Sequence, residues 1–144
     1  NGLFYFPITF DGGTIFQPTI DSVFDAQIEE CYHDTMDRRI IGGNPSGDSQ
    51  AGRHLFEQVR EAGGTVLGAG GSDWVVFAEN GRYRADEAYF LHHILRMVEN
   101  ALSHNPEIDD DELEAWITQR RHQIGQGRLV YIAHQLDLVG RLSG

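Results

Sequence analysis

The sequence contains no lysine, a single cysteine and only four prolines in 144 residues, and each scarcity excludes something. With Cys31 alone there is no internal disulfide, which fits a reducing, cytoplasmic setting. All 11 basic residues are arginine, set singly or in pairs against 22 acidic ones, for a net charge of −11. Such a surface repels phosphate backbones and anionic lipid, so neither nucleic acid nor membrane is expected as a partner. No apolar run approaches the roughly 20 residues that cross a bilayer. The first apolar stretch also lacks the basic flank and cleavage site of a signal peptide. At 40% hydrophobic and 23% charged residues, the composition is that of an ordinary globular chain able to fold alone. Neither internal repeats nor linkers interrupt it, so residues 1–144 are expected to form a single domain.

What is present reads as alternating strands and helices. The opening NGLFYFPITFDGG has no initiating Met and runs directly into Leu3–Phe10, β-rich and apolar at both parities. That pattern predicts a central strand covered on both faces and ended by turn chemistry at Asp11-Gly12-Gly13. A helix is expected from an Asp21 or Ser22 cap, with Phe24, Ile28, Cys31, Tyr32 and Thr35 inward. GGNPSGDSQAG reads as a loop, followed by a helix with Leu55, Phe56, Val59 and Ala62 on one face and Gly63 as its stop. Thr65–Leu67 and Asp73–Phe77 flank Gly68-Ala69-Gly70-Gly71, which reads equally as a bulge within one strand or as a turn between two. Two helices are expected at Asp86 to Ser103 and Asp110 to Ile124, the second led by carboxylates that suit a helix N-terminus. Leu129 to Leu138 is the last strand.

Several clusters carry no chemistry by spacing. Cys31 and His33 lie about 200° apart around a helix, so they cannot share a metal without a partner elsewhere. His92-His93 lacks the four-residue spacing of a two-histidine metal pair. His134, inside a strand, reads as a core or interface histidine. No nucleophile, base and orienter assemble from spacing, so no catalytic residue is assigned and no metal is expected.

The segments GLFYFPITFDGGTIF, GDSQAGRHLF, GGSDWVVF, RADEAYFLHHIL and LVYIAHQLDLVGR, in this order, resemble the C-terminal half of bacterial class I S-adenosylmethionine-dependent methyltransferases. The resemblance spans nearly the whole chain. It implies an α/β, Rossmann-like half-fold: strand five at Leu3–Phe10, strand six within Thr65–Phe77, strand seven at Leu129–Leu138, and a two-helix insertion. In that family the sheet order is three-two-one-four-five-seven-six, with the seventh strand antiparallel. The glycine turn after strand one and the acidic end of strand two, which hold the cofactor there, have no counterpart here. Gly68–Gly71 is no substitute, because a cofactor turn leads from a strand straight into a helix.

The resemblance therefore implies the substrate-side portion of an enzyme that methylates a small molecule. S-adenosylmethionine would be the donor in the full-length parent; this chain alone is expected to bind none and to be inactive. Ligands of open α/β sheets lie beyond the carboxyl ends of the parallel strands, which nominates Phe10, Asp11, Asp73 and Trp74, with Tyr32 and His33 from the first helix, as substrate-binding residues. The alternative is a non-catalytic α+β module for ligand binding or dimerisation. Without a strand-four partner, Leu3–Phe10 would be an unprotected edge, so a homodimer through that strand is expected.

Overall fold

The computed structural model describes residues 2–142. In chain order the elements are β1 (Gly2–Gln17), α1 (Ser22–Asp37), β2 (Ile40–Ile41), β3 (Asn44–Pro45), α2 (Ala51–Glu61), β4 (Gly64–Gly71), β5 (Trp74–Val76), α3 (Glu87–Leu102), α4 (Asp110–Gly125) and β6 (Val130–Leu142). The class is mixed α/β: four helices and a small antiparallel sheet, with β2 and β3 forming a separate two-stranded hairpin. That hairpin overlaps the start of the stretch expected to be a loop, where Gly42 and Gly43 at φ 58° and 82° supply the left-handed turn that closes it.

β6 is the shared strand of the main sheet. β1 pairs with one of its edges, and β4 and β5 pair with the other. Because both neighbours run antiparallel to β6, β1 and β4 run parallel to each other. Gly71 pairs with Leu136 and Trp74 with Ala133, so the count continues unbroken through Ser72 and Asp73. β4 and β5 thus form one interrupted line, and the glycines lie within β4 rather than in a turn. The bulge in that line is at Leu67, between the Val66 and Gly68 pairings.

β1 departs from its expected form in two ways. Asp11-Gly12-Gly13 does not end the strand; these three residues face the single residue between the Phe10–Gln135 and Thr14–Ala133 pairs, and β1 continues to Gln17. Gly12 and Gly13 hold φ near 72° and 78°, the left-handed conformation that a bulge requires as much as a turn does. The second departure is burial: Leu3, Tyr5 and Ile8 are 72%, 58% and 64% exposed, not covered on both faces. β1 is an edge strand, and the core begins only beyond its first half.

The helices follow their caps and stripes. Asp21 accepts the Val23 and Phe24 N–H groups at the start of α1, and Asp109 accepts those of Asp111 and Glu112 at the start of α4. The main core lies on the face of β6 that carries Tyr131 and Ala133. Ile28, Cys31 and Tyr32 of α1, Leu91, Leu95, Val98 and Leu102 of α3, and Leu113, Trp116, Ile117 and Ile124 of α4 close over it. The face that carries Leu136 and Leu138 is covered by α2 alone.

α2 approaches closely because Gly52 has no side chain. A Cβ there would stand 2.8 Å from the Asp11 Cβ, 3.1 Å from the Thr9 carbonyl oxygen and 3.2 Å from the Leu136 Cβ. Gly52→Ala is therefore expected to lower stability by about 1–3 kcal/mol through overpacking, although alanine is the better helix former. Denaturant unfolding of the two proteins measures this, and an unchanged or raised midpoint would show that α2 does not press on the sheet here.

Candidate functional site

The most concentrated polar arrangement crosses the sheet at His134. The β1 bulge lies on one side of this residue and Asp73, in the break between β4 and β5, on the other. His134 Nδ1 lies 2.7 Å from Asp73 Oδ1, and the Gln135 N–H donates to the same oxygen at 3.3 Å. The Asp73 carboxylate is an acceptor for an Nδ1–H of this ring. Those hydrogen bonds, His134 first and then Gln135, hold the Asp73 carboxyl below its ordinary value of 3.8. On its far side, His134 Nε2 stands 3.4 Å from Asp11 Oδ2.

Asp11 is anchored from behind. Its Oδ1 accepts the backbone N–H of Arg53 at 2.6 Å and the Arg53 Nε–H at 3.0 Å, while Arg53 Nη2 donates to the Asp11 carbonyl at 2.9 Å. Arg53 is the third residue of α2, so a buried carboxylate occupies the N-terminus of that helix, where the dipole favours negative charge. The His134 and Asp73 side chains are 39% and 44% exposed. Asp11 is 5% exposed. In the row Arg53, Asp11, His134, Asp73 a buried carboxylate thus stands beside a half-exposed histidine.

The sheet divides the six nominated substrate residues. Asp11 and Asp73 meet at His134 on the α2 face. Phe10, Tyr32 and His33 gather on the other: the Phe10 and His33 rings lie 5.6 Å apart edge to face, and His33 Nε2 is 2.9 Å from the Thr14 hydroxyl. Phe10 and Tyr32 also line a cleft of about 570 Å³ together with Met36, Arg39, Asp48 and Met97. Trp74 shares the helix-covered face but stands apart from this group, its ring 4.2 Å from that of Phe90 and 46% of the residue exposed.

His134 was not among the nominated residues. Its signal in the sequence is a polar side chain inside the apolar run VYIAHQLDL, and the second such signal, Asp137, marks a parallel cluster. Asp137 accepts from the Tyr5 hydroxyl, the Ile8 N–H and the Ser72 hydroxyl, each at 2.7 Å. These bonds hold its carboxyl below the usual range, the Ile8 N–H contributing most.

Gly68–Gly71 lies within β4 and leads to Ser72 and β5 rather than to a helix. Among the described residues, no strand of the main sheet passes through a glycine turn directly into a helix, and no three His, Cys, Asp or Glu side chains stand where they could hold a metal ion. Cys31 is buried and donates weakly to Glu107. No helix among the described residues is long and apolar enough to cross a membrane. No protein-family model and no curated protein matches the chain.

His33 gives this region a pH signature. Burial pushes its ring below the ordinary 6.5, against the opposing pull of Glu29, Asp37 and Asp34. The unfolded chain therefore binds the proton more readily, so the contribution of His33 to stability is complete above pH 6.5 and is lost as pH falls through the folded value. His33→Gln can keep a hydrogen bond to Thr14 but does not titrate. Urea midpoints on either side of pH 6.5 should fall less on acidification for this variant than for the parent chain, and equal falls would place His33 in solvent-like surroundings.

Proposed function

We propose that the chain is the substrate-side, C-terminal portion of a class I S-adenosylmethionine-dependent methyltransferase fold acting on a small molecule, inactive by itself. The observation that carries this reading is strand order with direction. β1, β6 and β4 lie in the order expected for strands five, seven and six, with the middle strand reversed against two mutually parallel neighbours. The α3 and α4 pair between β5 and β6 stands where the resemblance places its two-helix insertion. A cytoplasmic setting accords with the lone, buried Cys31.

The residues present do not fit the cofactor, so its contacts are assigned to strands outside this chain. What these residues supply is a place for the acceptor. His134 Nε2 and Asp11 Oδ2 stand 3.4 Å apart, beyond ordinary hydrogen-bond length. An amine seated beside the pair has an N–H for each atom, and a hydroxyl there can donate its single O–H to His134 Nε2. His134, oriented by Asp73, can then take the proton from that donor as general base. Phe10 and Tyr32 offer the aromatic cleft on the opposite face as a second pocket.

One observation favours the non-catalytic alternative, a ligand-binding or dimerisation module. Asp11 is already held by Arg53 of α2 and His134 by Asp73, as in groups that lock a bulge.

NMR shift mapping with S-adenosylmethionine and with a panel of small phenols and amino alcohols tests the proposal. The expected result is no perturbation by S-adenosylmethionine and perturbation of Asp11, Asp73 and His134 by at least one acceptor-type compound. A saturable S-adenosylmethionine response would overturn the assignment of the cofactor to other strands. Silence across the whole panel would favour the non-catalytic module.

A further inference from the structure

We infer that the open edge of β1 pairs with the same edge of a second copy of this chain, through Gly2 to Phe6, to give a closed dimer with a continuous sheet. This rests on strand exposure and charge, not on the methyltransferase reading, although it uses the edge on which the resembled family carries strand four.

Among the described residues, β1 pairs with β6 on one side only. Its second half is closed off on the other side by α1, whose Glu29 carboxylate accepts the outward Thr14 N–H at 3.0 Å. No described residue covers its first half in that way. Pro7 and Ile8 form a bulge opposite Asp137, with the Ile8 N–H turned into that carboxylate, so the open edge stops there. What remains is an extended segment with a row of unpaired backbone groups, flanked by Leu3, Tyr5 and Phe6 at 72%, 58% and 41% exposure. The chemistry that satisfies such an edge is another strand.

Charge selects a second copy as that strand. The chain carries a net charge of −11, so two copies repel wherever acidic side chains face each other. Residues 1–10 carry no charged side chain at all. Antiparallel pairing about a two-fold axis keeps every residue of this contact within that segment and closes the assembly. The free edge of β4 is also uncharged, but four residues of GTVLGAGG are glycine and offer little side-chain area to bury.

Light scattering after size exclusion should give twice the monomer mass across the micromolar range. Leu3→Lys with Tyr5→Lys, which sets like charges across the two-fold axis, should halve that mass, whereas Leu67→Lys on the β4 edge should leave it unchanged. A monomer at high concentration, loss of the dimer in Leu67→Lys, or growth beyond a dimer would each overturn the inference. If circular dichroism shows that the double variant does not fold, hydrogen exchange of the parent chain decides. Amides of residues 3–6 should slow as concentration rises, and exchange independent of concentration would contradict the pairing. Neither result depends on any S-adenosylmethionine response, so this inference and the functional proposal fail separately.

Discussion

Every strand of the main sheet depends on β6. It alone pairs with β1, β4 and β5, joining residues as distant as Gly2 and Leu142. A sheet so connected closes loops spanning most of the chain, and its contacts are the non-local kind that make folding slow. β6 also determines where the partners are irregular. Two of its polar residues, His134 and Asp137, each face a bulge in β1, and the bulges turn polar groups toward them: Asp11 toward His134, the Ile8 N–H toward Asp137. A regular strand beside β6 would leave both with fewer partners. The bulges are thus the means by which a central strand carries charge without burying it unpaired.

On the helical side the comparable constraint is Arg120, fully buried on α4. Its guanidinium reaches the Asp25 carboxylate at 2.9 Å and the Pro18 carbonyl at 2.6 Å, and lies 4.9 Å from the centre of the Trp116 ring. Trp116 donates to the same Asp25 oxygen at 2.6 Å. One ion pair thereby ties α4 to α1 and to the connection leaving β1. Taking a charge out of water is costly, and the burial that holds the Arg120 pKa below normal reflects that cost, with Asp25 opposing it. The helix packs Leu113, Trp116, Ile117 and Ile124 around the pair.

The helices were legible because their signals are local. Asp21 and Asp109 announce caps, and the stripe Leu91, Leu95, Val98, Leu102 repeats at helical spacing. The sheet was legible only in part. Asp11-Gly12-Gly13 has the composition of a turn, and the left-handed glycines of a turn and of a bulge are the same residues; only pairing with β6 on both sides distinguishes them. Leu3–Phe10 reads as buried because its side chains are apolar, but burial is decided by what covers a strand, and no helix reaches its first half. The site was least legible. Asp11 and Asp73 were nominated from their places at strand ends, but their meeting at His134 depends on the register of three strands far apart in sequence. His134 alone, in an apolar run, says that a polar partner exists without saying which.

Native-state hydrogen exchange tests most directly whether β6 organises the molecule. If it does, the amides of Tyr131 to Leu138 exchange only by global unfolding, with protection matching that of Leu91 to Val98 in the core of α3. If those β6 amides instead exchange by local opening while α3 and α4 stay protected, the helices form an independent unit. The Asp11, His134 and Asp73 row would then rest on a sheet that the fold does not require.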